Sequence, residues 1–191
     1  MCGINGFNWE DKELIRSMNQ LIRYRGPDQS GTFIDRQVSL GHVRLSIIDL
    51  SEKGKEPMTN EDGSIFLTYN GEIYNFPELR EQLIQKNHQF FSDTDAEVII
   101  HGYEEYGANF FSYLDGIFAF ALYDSNKKKL ILCRDRAGTK PLFYYFQDQQ
   151  FIFSSELKSI LYTDIPQRKI NLDALDRYFT LGYIPGRQTI M

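Results

Sequence analysis

IFAFALYDSNKKKLILCR, residues 117–134, contains two segments rich in β-branched and aromatic residues, with the turn-forming stretch DSNKK (124–128) between them. This pattern predicts two strands joined as a hairpin. A second hairpin is predicted by LFYYF (142–146) and QFIFSS (150–155). Because hairpins join antiparallel strands, we expect an α+β fold with largely antiparallel sheets covered by helices, and not a wound βαβ fold.

Further strands and one clear helix surround these hairpins. Apolar residues at helical spacing in DKELIRSMNQLIRY predict a helix over 11–24. Short runs with strand-forming composition predict additional strands at 2–8, 31–36, 38–48 and 64–69.

Two more helices are indicated by N-terminal capping signals. The capping-box spacing, in which a capping side chain is followed three residues later by Glu, occurs at Asn75–Glu78 and at Thr94–Glu97. In the first of these helices we expect Leu79, Leu83 and Ile84 to face the core.

The composition is that of a folded globular chain. With 191 residues, 42% of them hydrophobic, it can bury a sizeable core. The net charge of −5 and the lack of a basic stripe argue against nucleic acid as a partner. Apolar runs fall short of the roughly 20 residues that span a bilayer, and no secretory signal is visible, so we expect no membrane association and a cytoplasmic location. We expect one domain over 2–164, with a short helix and a Pro/Gly-containing stretch over 165–191 beginning a linker towards a further domain.

No metal or nucleotide site is predicted. Glycine-rich phosphate loops are absent, and His42, His88 and His101 lie far apart in the sequence without metal-ligand spacing. Cys2 and Cys133 are not expected to form a disulfide in a reducing compartment. Cys133 is interpreted as a buried thiol in a strand.

Cys2 directly follows the initiator methionine in MCGINGF (1–7), where removal of Met1 would give one residue both a thiol and a free α-amine. An α-amine titrates at about 7.7–8.0 and a thiol near 8.5, so the amine can accept the thiol proton. The sequence therefore predicts a nucleophile that carries its own base and is inactive while Met1 is attached.

Donors for an oxyanion are predicted in NGEIYN (70–75), which follows an apolar strand. Asn70 offers a side-chain NH₂, and Gly71 offers a backbone N–H that lacks a shielding Cβ. Taken alone, Asn-Gly is the commonest hairpin turn signal, so a turn is the alternative interpretation.

Two charged residues could recognise an α-amino acid. Arg44 can grip a carboxylate with two hydrogen bonds, and Asp95, near a predicted helix start, could hold an ammonium group. Individually, Arg44 could be a surface ion-pair residue and Asp95 an ordinary helix-start residue. With a thiol and oxyanion donors, they describe a site for an amino acid that carries a side-chain amide.

With these residues assembled, the chain resembles the class II glutamine amidotransferase domain, an N-terminal-nucleophile (Ntn) hydrolase, and most closely the N-terminal domain of asparagine synthetases. Nine stretches carry the resemblance, in the family's order and over nearly the whole chain: MCGI, RGPDQSG, GHVRLSIIDLS, YNGEIYNFPELR, SDTDAEVIIHGYEEYG, LDGIFAFALYD, RDRAGTKPLFYY, FSSELKSIL and LDRYFTLGYIPG. The resemblance implies a four-layer αββα sandwich of two largely antiparallel sheets.

The resemblance also implies roles for particular residues. Cys2 would be the nucleophile, with Asn70 and Gly71 forming the oxyanion hole. The implied glutamine-binding groups are Arg44 for the α-carboxylate, Glu72 and Asp95 for the α-ammonium, and the backbone at Leu45 and Ile48.

The implied activity is hydrolysis of L-glutamine to glutamate and ammonia through a Cys2 thioester, with ammonia supplied to an ATP-dependent asparagine synthetase domain of the same polypeptide. No cofactor is expected in these residues, since ATP and Mg²⁺ belong to the synthetase domain. A homodimer is a possible assembly. One alternative is the same glutaminase domain serving another acceptor, such as a polysaccharide, a peptide or an amino sugar. The other is a catalytically silent regulatory module.

Overall fold

A computed structural model describes residues 1–191 and contains two β-sheets. The nine strands are β1 (Gly3–Phe7), β2 (Gln29–Asp35), β3 (Val38–Arg44), β4 (Met58–Thr59), β5 (Ile65–Ile73), β6 (Gly116–Asp124), β7 (Lys129–Arg134), β8 (Phe143–Gln147) and β9 (Gln150–Ser154). The five α-helices are α1 (Lys12–Leu21), α2 (Phe76–Gln85), α3 (Glu97–Tyr106), α4 (Leu157–Tyr162) and α5 (Leu172–Leu181). Single 3₁₀ segments lie at Arg23–Arg25, Glu52–Gly54 and Gly107–Tyr113.

Both sheets are antiparallel throughout. The first has the order β2-β3-β1-β9-β8 and the second has the order β4-β5-β6-β7. The two hairpins predicted from sequence pair as β6 with β7 and β8 with β9. The antiparallel α+β prediction is therefore confirmed.

The two sheets pack face to face with helices on their outer sides. Alternate residues of β5 and β6, such as Leu67 and Phe120, pack against α2 and α3, while Ala119 and Ala121 belong to the core between the sheets. A third apolar cluster joins α1 and α4 to the outer face of the first sheet: Phe7, Ile15, Met18, Ile152 and Ile160. Each fully buried side chain of this kind contributes roughly 1.5–3 kcal/mol. The result is the four-layer αββα sandwich.

Several predicted boundaries were wrong. β3 ends at Arg44 and not at 48, because the Arg44 guanidinium binds backbone carbonyls of residues 48–51 and the chain turns back after the strand. β5 runs through Asn70 to Ile73 and not to 69, because β6 pairs with it along nine residues. α4 was not predicted at all.

Neither predicted capping box forms. The Asn75 side chain bridges the next segment of the chain, donating to Tyr113 O at 2.9 Å and accepting from Asp115 N at 3.0 Å. Ile84 is 52% exposed, so of the three predicted residues only Leu79 and Leu83 face the core.

At the second box, α3 begins at Glu97, three residues after Thr94. The Glu97 carboxylate accepts hydrogen bonds from the backbone N–H groups of Phe91 (2.6 Å) and Ser92 (2.8 Å) instead of from Thr94. None of the helices has the length and apolarity needed to cross a bilayer.

Candidate active site

One cavity of about 110 Å³ opens at the end of the gap between the two sheets. Its lining includes all eight residues singled out from the sequence: Cys2, Arg44, Leu45, Ile48, Asn70, Gly71, Glu72 and Asp95. Larger cavities exist, including one of about 500 Å³ beside β7, β8 and residues 186–189, but its lining contains neither a thiol nor a carboxylate. The small cavity, unlike that one, therefore combines a thiol with carboxylates.

Cys2 lies directly before β1, at the edge of the cavity. Its thiol is 3.7 Å from Leu45 O, and the guanidinium of Arg25 donates to Cys2 O at 3.0 Å while pairing with Glu156 at 2.6 Å. Burial raises the pKa of the Cys2 thiol, and the nearby Glu56 carboxyl raises it further. Cys2 therefore needs a base to become a thiolate near neutral pH.

Asn70 lies in the middle of β5, so the hairpin-turn interpretation was wrong. The residue is 1% exposed, and its Nδ2 has no hydrogen-bond partner in the chain. Leaving a buried donor unpaired costs about 1–3 kcal/mol. A buried amide without a partner, in the same cavity as a thiol, is the arrangement expected of a donor that binds an oxygen of a ligand.

Gly71 lies on an open edge of the second sheet, because β4 pairs with only two residues of β5. Beyond that pairing, the Tyr69 N–H donates to Glu56 Oε2 at 2.5 Å and the Ile73 N–H donates to Asp95 Oδ2 at 2.8 Å. Since alternate residues of a strand direct their N–H groups to the same edge, the Gly71 N–H points along this edge between them.

The glycine at position 71 is also required by packing. A Cβ there would lie 2.5 Å from Ile117 O and 2.6 Å from Phe118 Cβ. The missing side chain therefore allows close approach of β6, a reason that the sequence argument did not anticipate.

Asp95 lies two residues before α3 and is 5% exposed. Its Oδ2 accepts from the Tyr69 hydroxyl at 2.5 Å as well as from the Ile73 N–H. Burial raises the pKa of this carboxyl, although both hydrogen bonds oppose the shift. Glu72 stands at the exposed rim, two positions from Asn70 and on the same face of β5. The two carboxyls give this side of the cavity a negative character.

Arg44 is not a surface ion-pair residue, since it is 5% exposed and pairs with no carboxylate. Its four terminal N–H donors bind Gln29 Oε1 and three loop carbonyls, those of Ile48, Asp49 and Ser51. A bound carboxylate would have to share or replace these loop carbonyls.

Gly54 makes this arrangement of Arg44 sterically possible. A Cβ at Gly54 would lie 2.1 Å from Arg44 Nη2. The glycine therefore lets the guanidinium pack under the 3₁₀ segment that contains it.

Glu56, Tyr69 and His42 were missed by the sequence argument. Glu56 and Tyr69 line the cavity, and His42 Nε2 donates to Tyr69 O at 2.9 Å and lies 3.6 Å from Glu56 Oε2. Burial lowers the pKa of His42 to about 3, so its imidazole is neutral, and burial raises the pKa of Glu56 well above its ordinary value. No local motif marks these residues, because their roles depend on the short β4.

Two histidines that lie far apart in the sequence come together in the fold. The ring centroids of His88 and His101 are 5.1 Å apart, whereas His42 lies elsewhere, under the cavity.

The model of the glutamine amidotransferase domain family matches residues 1–191. A putative asparagine synthetase 2 of Methanocaldococcus jannaschii is 44% identical over all of this chain and 41% of its own length. Asparagine synthetase 1 of Bacillus subtilis is 40% identical over all of this chain and 31% of its own length. The amidase chry2 of Gibberella zeae is 38% identical over 84% of this chain and 26% of its own length. The chain spans less than half the length of these curated relatives.

Two solved structures share the fold. Glutamine phosphoribosylpyrophosphate amidotransferase from B. subtilis aligns with a TM-score of 0.72 at 21% identity, over 83% of this chain and 43% of its own. A structure described as the allosteric regulatory enzyme of purine biosynthesis aligns with a TM-score of 0.74 at 19% identity, over 85% of this chain and 43% of its own.

Proposed function

The chain belongs to the glutamine amidotransferase domain family, and we propose that it hydrolyses L-glutamine to glutamate and ammonia at the cavity lined by Cys2, Asn70 and Asp95. The observation that carries the proposal is the buried, unpaired Nδ2 of Asn70 in the same cavity as the Cys2 thiol. A reaction that creates an oxyanion at this point would give that donor its partner.

The first half of the reaction begins after Met1 is removed. The Cys2 thiol transfers its proton to the freed α-amine, and the thiolate attacks the side-chain carbonyl carbon of glutamine. The carbonyl oxygen becomes an oxyanion that accepts hydrogen bonds from Asn70 Nδ2 and the Gly71 N–H. When the intermediate collapses, the C–N bond breaks, the α-ammonium returns its proton to the leaving nitrogen, and ammonia departs.

The second half hydrolyses the γ-glutamyl thioester. The α-amine of Cys2 takes a proton from water, the hydroxide adds to the thioester carbonyl, and the same two donors stabilise the second oxyanion. The C–S bond then breaks and the thiolate regains its proton, which releases glutamate.

Substrate orientation follows from the charges around the cavity. The α-ammonium of glutamine binds the Asp95 carboxylate together with Glu72, both on the negative side of the cavity. The α-carboxylate binds on the Arg44 side, with the loop carrying Leu45 and Ile48 around it. The carboxylate takes over donors that now hold loop carbonyls, so binding glutamine reorganises this loop.

The ammonia is proposed to serve an ATP-dependent asparagine synthetase region of a longer polypeptide, with residues 165–191 beginning the linker. The high identity to two proteins named as asparagine synthetases favours this acceptor. A different acceptor is the alternative, favoured by the similarity to an amidase. A silent regulatory module is disfavoured, because such a module has no need of a buried unpaired amide.

The test is a glutaminase assay on a chain that lacks Met1. Mass spectrometry establishes beforehand that Met1 has been removed. Cys2→Ser should lose nearly all glutamate production, whereas Cys133→Ser, a change of the other partly buried thiol, should retain it. Equal activity in the wild-type chain and the Cys2→Ser variant would refute the proposal.

A further inference from the structure

Three metal-ligating side chains meet on the helix-covered side of the second sheet and share no residue with the Cys2 cavity. His88 lies in the turn after α2, and His101 and Glu104 lie on α3. One ligand atom from each of the three lies within 4.8 Å of the others. We propose that His88, His101 and Glu104 bind a divalent transition-metal ion of the zinc class.

Two of the three separations within this cluster are close to those of a formed site. Glu104 Oε2 is hydrogen-bonded to His101 Nδ1 at 2.9 Å and lies 3.7 Å from His88 Nδ1, so a bound ion would replace the proton of that hydrogen bond. In a tetrahedral zinc site with bonds of about 2.1 Å, ligand atoms lie roughly 3.3 Å apart. Small side-chain movements would therefore place these three atoms around one ion.

The outward-facing atoms of the cluster already have partners that would fix the ligands. His101 Nε2 lies 3.4 Å from Glu97 Oε1, and His88 Nε2 lies 3.5 Å from Glu105 Oε2. Metal-bound histidines commonly give their second N–H to a carboxylate, which selects the tautomer and orients the ring.

The second oxygen of Glu104 is held in the same way. Glu104 Oε1 accepts a hydrogen bond from Asn60 Nδ2 at 2.8 Å. All three proposed ligands thus have a partner at the polar atom that the ion would leave free.

The donor set indicates the class of ion. Two imidazole nitrogens and one carboxylate suit zinc, cobalt, nickel or copper, whereas magnesium and calcium prefer oxygen ligands throughout. The His101 side chain is 2% exposed, but those of His88 and Glu104 are 15% and 22% exposed, which gives an ion a path of entry and leaves room for a water ligand.

The site would join two segments, one of which leads to a residue that lines the cavity. His88 belongs to the turn after α2, and Glu97, the partner of His101, also accepts hydrogen bonds from the backbone of Phe91 and Ser92. A bound ion would brace the segment that leads to Asp95. We therefore assign the site a structural role, and the assignment does not depend on the glutaminase proposal.

The experiment is a competition titration of untagged full-length chain with Zn²⁺ and a chromophoric chelator, followed by Co²⁺ absorption. It uses the Cys2→Ala background, because an N-terminal thiol and amine can chelate zinc by themselves. We expect one equivalent of Zn²⁺ to bind, tetrahedral d–d bands with Co²⁺, and a rise in Tm of roughly 5–10 °C at a hundredfold excess over Kd.

Variants locate the ion. His88→Ala should weaken Zn²⁺ binding by roughly 100-fold or more, and Glu105→Gln, at a partner of a ligand, by roughly 10- to 100-fold. Gln89→Ala, an exposed neighbour of His88, should bind like the parent chain. Circular dichroism checks that each variant is folded, and Glu105→Gln serves if His88→Ala is not.

Two results would overturn the assignment. The first is a parent chain that binds no stoichiometric Zn²⁺, which would leave only an imidazole–carboxylate network. The second is a Zn²⁺ affinity that is the same in the parent, His88→Ala and Glu105→Gln chains.

Discussion

Asn70→Ala separates catalysis from folding, because the Asn70 side chain makes no hydrogen bond within the chain although it is 1% exposed. Removing one oxyanion donor typically costs 10²–10³ in kcat, or about 2.7–4 kcal/mol of transition-state stabilisation. We expect that loss in kcat with a smaller change in KM, since the bond forms chiefly in the transition state.

The effect of Asn70→Ala on stability should be small. No internal hydrogen bond is lost, an unpaired buried donor is removed, and water can fill the enlarged cavity. The free energy of unfolding should stay within about 1 kcal/mol of the wild-type value, which is a Tm change of at most about 4 °C.

Asn19→Ala is the matched control, since Asn19 is also an asparagine and is 3% exposed. Its side chain accepts from Asn5 Nδ2 and donates to Ser30 Oγ, Gly31 O and His42 O. Losing these bonds should cost at least about 3 kcal/mol of stability.

Glutamate release and thermal unfolding followed by circular dichroism measure both quantities for the two variants. A wild-type kcat in Asn70→Ala would refute the oxyanion assignment. So would a loss of activity that merely follows unfolding.

Further predictions concern the carboxyls and the buried histidine. Glu56→Gln removes a carboxyl whose ionised form opposes the Cys2 thiolate, so the rise of the glutaminase rate with pH should move to lower pH; an unmoved pH–rate profile would contradict this coupling. Asp95→Asn should raise KM for glutamine more than it lowers kcat, with Glu72→Gln giving a weaker effect, and equal KM values would remove Asp95 from the substrate site. In the folded chain the pKa of His42 is lowered from 6.5 to about 3, so His42 stays neutral where it would be protonated in the unfolded chain. Its contribution to stability is therefore present above pH 6.5 and is lost below it. The free energy of unfolding should fall by up to about 1.4 kcal/mol per pH unit. Urea midpoints of the Glu56→Gln chain, which lacks the opposing titration of Glu56, should fall between pH 7 and 5, and a constant midpoint would contradict this.

Features encoded by neighbouring residues were predictable from the sequence. The β6–β7 and β8–β9 hairpins follow from strand-forming runs joined by short turns, and α1 follows from its apolar spacing. Cys2 was predictable as a nucleophile because, at position 2, removal of Met1 turns its amide nitrogen into a free α-amine.

Features set by distant partners were not predictable from local pattern. Asn70–Gly71 has the composition of a turn, but pairing with β6 holds it extended. Glu56 matters because β4 begins only at Met58 and leaves the Tyr69 N–H without a strand partner. His88 and His101 are thirteen positions apart, and only the packing of the turn after α2 against α3 brings their rings together.

The most direct test of the central claim is mass spectrometry of the acid-quenched chain after mixing with L-glutamine. We predict that the Met1-free N-terminal peptide gains the mass of one glutamyl group on Cys2, that the adduct is lost on hydroxylamine treatment, and that it accumulates less in Asn70→Ala. Glutamine turnover with no adduct on Cys2, or with the adduct on Cys133, would contradict the account.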